Sequence, residues 1–348
     1  MTDWVQEGDL LWTPSAQRIE RAHLTQYLGW LAARGRRFDS YAALWQWSID
    51  DLDGFWSSLW DYFAIQTSQP YQRVLGKRDM PGAEWFPGAL LNYAEHALRH
   101  ERSDAVALLF LSERRGLNAL SWTDLGSRVR RLAMKMRALG VSRGDRVTAY
   151  LSNSPEAVIA MLATVSIGAV WASCGPDFGP KGVVDRFGQL APKLMFCVDG
   201  YYHGGKIIDR RPELKTILSS LPSLSQVIYL RQLDPAGEAL TANTLFWEDA
   251  LAGPEVQREN FKFEQVPFAH PLWILFSSGT TGLPKPIIHS HGGMTLEQCK
   301  AVDFRMTPTA AAIAGPISTA IPGYGGMEIF SRSMSAEAVS FWAAPMPL

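Results

Sequence analysis

The chain has 348 residues, of which 47% are hydrophobic and 19% charged, as is typical of soluble globular proteins. Its 33 basic and 34 acidic side chains nearly cancel, so the charge balance indicates neither a nucleic acid nor an anionic membrane as a partner. A chain of this length predicts roughly two domains, with a core large enough to need neither disulfides nor structural metals.

The cysteines and the apolar stretches bear on the cellular compartment. Cys174, Cys197 and Cys299 are far apart and odd in number, which favours free thiols in a reducing compartment over disulfides. The N-terminal residues have neither the basic segment nor the apolar segment of a signal peptide. The longest apolar stretch, 157–173, is short and interrupted by polar residues, so no membrane span is predicted. We therefore expect a cytoplasmic protein.

Residues 1–97 are predicted to form a helical segment rich in aromatic residues. Ser48 and Asp51 have the spacing of a capping box, and apolar residues recur at helical spacing after them. Tryptophan is dense in this segment, and we expect its side chains to pack the segment onto the main body. A surface that stacks a ligand or binds a partner is the alternative.

Beyond this segment, strand-like and helix-like runs alternate. The strand-like runs are 105–111, 146–151, 169–173, 194–198, 227–231 and 272–276. Thr123 is a candidate cap for one intervening helix, and Ser154 with Pro155 opens another. This alternation predicts an α/β fold with a parallel sheet flanked by helices, in which ligands bind beyond the carboxyl ends of the strands.

A loop rich in glycine and hydroxyl residues, SSGTTGLPK, follows the predicted strand 272–276. Its glycines let the backbone approach a ligand, and its hydroxyls and successive N–H groups can bind an anion. Lys285 adds a positive charge suited to phosphate, although the spacing excludes a P-loop of the G-x-x-x-x-G-K-[ST] type. The predicted polyphosphate contacts are Ser277, Ser278, Gly279, Thr280, Thr281, Gly282 and Lys285.

The stretch FSSGTTGLPKPIIHSHGG resembles the phosphate-binding signature of AMP-forming acyl-CoA ligases, the adenylate-forming superfamily. The stretches LWTPSAQRIERAHLTQYLGWL and WFPGALLNYAEHAL resemble the N-terminal segment of acetyl-CoA synthetases, and in detail that of the acetoacetate–CoA ligase subfamily. The resemblance covers roughly residues 4–300 and implies the N-terminal domain of the adenylate-forming fold, preceded by the helical aromatic segment.

The resemblance also implies a reaction and its substrates. The loop would hold the β and γ phosphates of ATP, with Lys285 as the catalytic residue that neutralises charge. A short-chain carboxylate, acetoacetate for the subfamily, would attack the α-phosphate to give an acyl-adenylate and pyrophosphate, and coenzyme A would then displace AMP. ATP, Mg²⁺ and coenzyme A are therefore expected, because positioning one anion against another requires amides, hydroxyls and cations.

Two smaller motifs carry secondary predictions. His203, Gly204, Gly205 and Lys206 match a basic-Gly-Gly-basic segment that contacts coenzyme A in acetyl-CoA synthetases, and a plain turn with a solvated lysine is the equal alternative. The HSHGG stretch provides too few ligands for a metal site, so no metal-binding residues are predicted. Support of the loop, or contact near the acyl-adenylate, is the expected role of its histidines.

The resemblance predicts the domain organisation as well. Family members carry further motifs after the loop, and none is recognised here beyond Gly293. We expect an acetyl-CoA synthetase-type N-terminal segment at 1–97, a partial AMP-binding domain at 98–300 and an aberrant tail at 301–348. An incomplete copy of a ligase is the leading interpretation, and a non-catalytic remnant that binds nucleotide or nothing is the alternative.

A frameshift is the expected origin of the sequence from 301 to 348, because family-like sequence stops there although the chain goes on. Translation of the underlying DNA in the other two frames should then restore family-like sequence. Two unrelated translations would show that the frameshift hypothesis is wrong.

Overall fold

The computed structural model describes residues 5–101, 104–277 and 282–305, except for the side chains of His100 and Arg305. The helices are α1 (Ala16–Glu20), α2 (His23–Ala32), α3 (Tyr41–Asp50), α4 (Leu52–Tyr62), α5 (Tyr93–Ala97), α6 (Trp122–Ala138), α7 (Pro155–Ser166), α8 (Pro180–Phe187), α9 (Arg211–Ser219), α10 (Trp247–Leu251) and α11 (His291–Arg305). Short 3₁₀ helices span Leu98–His100 and Arg258–Asn260.

Most strands fall where the apolar runs predict them. They are β1 (Leu90–Leu91), β2 (Val106–Ser112), β3 (Gly116–Ser121), β4 (Arg146–Tyr150), β5 (Val170–Cys174), β6 (Leu194–Val198), β7 (Gly200–His203), β8 (Lys206–Asp209), β9 (Gln226–Leu230), β10 (Thr244–Phe246), β11 (Val266–Pro267), β12 (Pro271–Ser277) and β13 (Lys285–Ser290).

The central sheet has seven strands in the order β10–β9–β6–β4–β5–β12–β13. Neighbouring strands are parallel from β10 to β12, and β13 pairs antiparallel with β12. Every residue of β6 is buried, as expected for a parallel strand covered on both faces. The predicted α/β fold is confirmed, and the antiparallel β13 is an addition that the sequence reasoning did not predict.

The run at 105–111 forms a strand but lies outside the central sheet. It becomes β2, which pairs antiparallel with β3 in a separate two-stranded sheet. Gly116 supports the tight turn between them with a φ of 62°, a left-handed conformation that glycine adopts at little cost. A close antiparallel partner therefore satisfies the backbone of β2 locally.

Two helix starts differ from the predicted caps. Ser121 caps α6, because its Oγ accepts a hydrogen bond from the N–H of Asp124 at 3.0 Å. Thr123 instead donates its hydroxyl to a backbone carbonyl. Asp51 caps α4, whereas Ser48 lies within α3. Both observed caps satisfy an N–H group that the first helical turn leaves without a partner.

Aromatic rings join the N-terminal helices to the rest of the chain. Trp60 stacks on Phe86 with ring centroids 4.6 Å apart, and Phe86 contacts Phe268 at 5.0 Å. Tyr27 of α2 contacts Phe304 of α11 at 4.9 Å. The expectation that tryptophan packs this segment onto the main body holds for Trp60, which also stacks on Phe268. It is wrong for Trp45, whose side chain is 52% exposed.

All three cysteines are buried free thiols. Burial raises the pKa of Cys174 to about 12 and that of Cys299 to about 11. Because the thiolate is the reactive form, these thiols are expected to be inert structural groups. Among the helices of the described ranges, none combines the length and the apolar character needed to cross a membrane.

The buried side chain of Asn92 links three segments of the chain. Its Oδ1 accepts from the N–H of Ala94 at the start of α5. Its Nδ2 donates to the carbonyls of Val165 at 2.9 Å and Glu264 at 2.8 Å. Because buried polar groups without partners are costly, this one amide stabilises the junction of α5, the end of α7 and the segment before β11.

Replacement of this amide by a carboxylate should destabilise the protein, although aspartate is normally a good helix cap. Aspartate caps helices as well as asparagine does, yet Asn92→Asp would point a negative oxygen at two backbone carbonyls. We expect a loss of about 3 kcal/mol in the free energy of unfolding, measured by urea titration.

The matched control is Ser40→Asp, at the exposed cap of α3, where the side chain accepts from the N–H of Ala43. This change should alter stability by less than about 0.5 kcal/mol. Equal effects of the two substitutions would contradict the assigned donor role of Asn92.

Candidate functional site

The carboxyl ends of the central strands define one edge of the sheet. β4 ends at Tyr150, β5 at Cys174 and β12 at Ser277, and these three strands are neighbours in that order. Parallel strands leave their carboxyl ends on a common edge, where α/β sheets bind ligands. The segments that follow these strands are therefore the candidate site.

The β12–β13 hairpin holds both ends of the predicted phosphate loop. Ser277, the last residue of β12, pairs directly with Lys285, the first residue of β13. Directly opposed residues of an antiparallel pair project their side chains to the same face of the sheet. The structure thus brings Ser277 and Lys285 together, whereas the predicted contacts Ser278, Gly279, Thr280 and Thr281 lie outside the described residues.

Lys285 is exposed, and it forms no ion pair with any residue in the described ranges. An ammonium group without an internal carboxylate partner is available to an anionic ligand. Gly282 is also exposed, and a Cβ atom built there would have no atom within 4 Å. The role of Gly282 in the approach of a ligand therefore stays a prediction.

Tyr150 fixes the segment that follows β5. Its buried hydroxyl lies 2.8 Å from the carbonyl oxygen of Pro176 and 2.7 Å from that of Phe178. Burial raises the pKa of Tyr150 well above its ordinary value, so the hydroxyl keeps its proton as a donor. The sequence reasoning missed this residue, and a lone tyrosine at the end of an apolar strand was the available signal.

The Gly204–Gly205 turn joins β7 to β8. Both glycines have left-handed backbones, with φ of 58° and 73°, as a two-residue hairpin turn requires. Their N–H groups donate to the two carboxylate oxygens of Glu113, at 2.8 and 2.9 Å. These two bonds lower the pKa of Glu113. His203 and Lys206 flank the turn and are exposed, and their contact with coenzyme A stays a prediction.

The histidines of HSHGG lie in different environments. His289 is half-buried in β13, whereas His291 begins α11 and is fully buried. The N–H of Tyr93 donates to Nδ1 of His291 at 3.2 Å, so this ring ties α11 to α5. In the described parts of the chain, no three His, Cys, Asp or Glu side chains converge to hold a metal ion.

His291 should make the protein less stable in acid. Burial, with smaller effects from His270 and Arg143, lowers the pKa of His291 to about 3. The unfolded chain therefore binds one more proton at this ring as the pH falls below about 6.5. The free energy of unfolding therefore keeps its full contribution from the neutral ring above pH 6.5, and this contribution declines towards pH 3. We expect a loss of about 2 kcal/mol in the free energy of unfolding between pH 7 and pH 5.

Urea unfolding at both pH values tests this expectation. His291→Asn, which keeps a hydrogen-bond acceptor but cannot be protonated, should reduce the pH dependence by that amount. Identical pH dependence in the wild type and His291→Asn would contradict the neutral buried ring.

Comparisons with known proteins identify the family of the chain. The sequence model of the AMP-binding enzyme family matches residues 94–320, and that of the acetyl-coenzyme A synthetase N-terminus matches residues 41–97. An acetoacetyl-coenzyme A synthetase of Rhizobium meliloti (strain 1021) is 39% identical over 295 residues. A malonamoyl-CoA synthetase of Penicillium aethiopicum is 35% identical over 310 residues.

A solved structure of an acetoacetyl-CoA synthetase from Streptomyces lividans superposes with a TM-score of 0.80 at 48% identity. The match covers 84% of this chain and 45% of that structure, and the Rhizobium meliloti relative is covered to the same extent. The chain thus spans less than half the length of these relatives. On the strength of the match over residues 94–320, the chain belongs to the AMP-binding enzyme family.

Proposed function

We propose that the chain serves ATP-dependent activation of a short-chain carboxylic acid, with acetoacetate as the first candidate, to its acyl-CoA. The observation that carries the proposal is the position of Lys285, which has no ion-pair partner among the described residues and lies directly opposite Ser277 at the carboxyl edge of the sheet. The names of the similar proteins, which are CoA synthetases of acetoacetate and malonamate type, support the substrate class. The proposed division is an N-terminal segment at 1–97, an AMP-binding domain at 98–300 and a tail at 301–348. Residues 301–305 complete α11, and the family match extends to residue 320, so the tail continues directly from the domain.

In the proposed first half-reaction, a carboxylate oxygen attacks the α-phosphorus of ATP. The bond from that phosphorus to the bridging oxygen breaks, and pyrophosphate leaves with the bonding electrons. Both reactants are anionic, so the chief tasks of the protein are to hold them together and to balance negative charge. The ammonium group of Lys285 would neutralise charge on the phosphates, and Ser277 would donate its hydroxyl to them.

The described residues fit the phosphates of ATP better than they fit a dedicated metal site. A hairpin mouth with a hydroxyl and a lysine on one face suits a polyphosphate. Mg²⁺ is proposed as the ion that accompanies ATP, because a divalent cation balances the negative charge of the phosphates.

In the proposed second half-reaction, the thiol of coenzyme A attacks the acyl carbonyl and AMP leaves. The segment His203, Gly204, Gly205 and Lys206 is proposed to contact the phosphorylated part of coenzyme A. Two consecutive left-handed glycines direct N–H groups to one point, and a carboxylate occupies that point now. The free buried thiols support the further proposal of a cytoplasmic location.

Removal of the lysine charge should stop the first half-reaction. Acetoacetate-dependent exchange between ATP and labelled pyrophosphate should fall by at least about 100-fold in Lys285→Ala, because one charged group at the transition state is lost. Lys215→Ala, at an exposed lysine of α9, is the matched control and should keep wild-type exchange.

Two results would separate the proposal from its alternative. Unchanged exchange in Lys285→Ala would remove this residue from the mechanism. Absent exchange in the wild type, together with ATP binding in a calorimetric titration, would favour a nucleotide-binding protein without turnover.

A further inference from the structure

A side chain from a distant part of the sequence contacts the exit limb of the phosphate loop, which is residues 282–285. Nε2 of Gln189 donates to the carbonyl oxygen of Pro284 at 3.0 Å, across 95 residues of sequence. The same Nε2 donates to the carbonyl oxygen of Asp185, in α8, at 2.6 Å. The amide therefore bridges the C-terminal part of α8 and the exit limb.

The segment that carries Gln189 is itself held to the sheet. Arg146 at the start of β4 donates from Nε to the carbonyl of Leu190 at 2.8 Å, and from Nη2 to that of Ala191 at 3.1 Å. The side chain of Leu190 is buried, as is Phe187 at the end of α8. The backbone that carries Gln189 is thus held in place. A hydrogen bond from its side chain can therefore restrain the exit limb.

The exit limb transmits this restraint because its backbone is stiff. Pro284 has a fixed φ, and Lys285 precedes Pro286, which confines Lys285 to extended conformations. Lys285 also pairs with Ser277 in the ladder of the hairpin. Fixing the carbonyl of Pro284 therefore fixes the direction from which the side chain of Lys285 leaves the backbone.

We propose that Gln189 is a positioning residue for the phosphate loop: its amide anchors the exit limb and so orients Lys285 towards the phosphates. The orientation of Lys285 towards phosphates rests on the proposed function, whereas the anchoring of the exit limb rests on the hydrogen bond to Pro284. A purely structural role, as a cap for the end of α8 through Asp185, is the competing explanation and predicts lower thermal stability instead.

The first test uses the full chain with Gln189→Leu, which keeps similar bulk and removes the donor. The KM for ATP in acetoacetate-dependent pyrophosphate exchange should rise about 3- to 5-fold, as the loss of one exposed hydrogen bond implies. The KM for acetoacetate and the melting temperature should stay at wild-type values. An unchanged KM for ATP, or a lowered melting temperature as the only effect, would overturn the inference.

Gln226→Leu is the matched control. Nε2 of Gln226 also donates to two backbone carbonyls, those of Asn243 and Val227, but from β9 near the opposite side of the sheet. This variant should leave the KM for ATP unchanged. An equal rise in both variants would show a general effect of losing a glutamine, and would count against the specific role of Gln189.

A second readout does not depend on activity. Hydrogen–deuterium exchange of peptides that span residues 282–290 should be faster in Gln189→Leu than in the wild type, and unchanged in Gln226→Leu. If the wild type shows no pyrophosphate exchange, the proposed function fails, and this readout still decides whether Gln189 restrains the limb. Equal protection in Gln189→Leu and the wild type would then overturn the inference.

Discussion

The antiparallel ladder between β12 and β13 is the interaction on which the candidate site depends. β12 is fixed on one side by its parallel pairing with β5, where Trp273 lies opposite Trp171. On its other side the hairpin register sets Lys285 opposite Ser277. A shift of one residue would turn Lys285 to the opposite face of the sheet, because side chains alternate along a strand. The register of one hairpin therefore decides whether hydroxyl and ammonium groups act on the same ligand.

The two turns proposed to bind phosphate groups differ in how their charges are satisfied. At the Gly204–Gly205 turn, Glu113 already takes both N–H donors, so an incoming phosphate has to displace a carboxylate and restore its hydration. At the hairpin, Lys285 has no carboxylate partner among the described residues, so none of these residues competes with a phosphate for its ammonium group. Among the described residues, electrostatics thus favours an anion at the hairpin over an anion at the Gly204–Gly205 turn.

The sequence predicted the elements that local pattern determines. Continuous apolar runs identified β4, β5, β6 and β12, because strands buried on both faces need no alternation. β13 escaped prediction, since its proline and polar residues resemble a loop, and it becomes a strand only through its partner. β2 was predicted correctly as a strand. Its exclusion from the central sheet follows from the close turn at Gly116, which supplies a local antiparallel partner.

The residues of the candidate site also differ in whether a local pattern predicts them. Ser277 and Lys285 were identified from the residue types of one short loop, whereas Gln189 and Tyr150 act through contacts that no local pattern contains. Neither residue has a sequence pattern that marks it, because the carbonyl groups that it contacts are brought to it only by the fold. Their absence from the sequence-based prediction reflects tertiary structure, which assigns partners to groups that propensity alone leaves unspecified.

The two prolines around Lys285 connect the fold with the proposed chemistry. Pro286 cannot donate a ladder hydrogen bond, and it is tolerated because β13 is the last strand of the described sheet. Pro284 and Pro286 together remove most of the backbone freedom that the lysine would otherwise lose when it binds an anion. A long, flexible side chain still has to be ordered, but its point of attachment is already fixed. Preorganisation of this kind raises affinity without any additional contact to the ligand, which is why one lysine between two prolines suits a phosphate site.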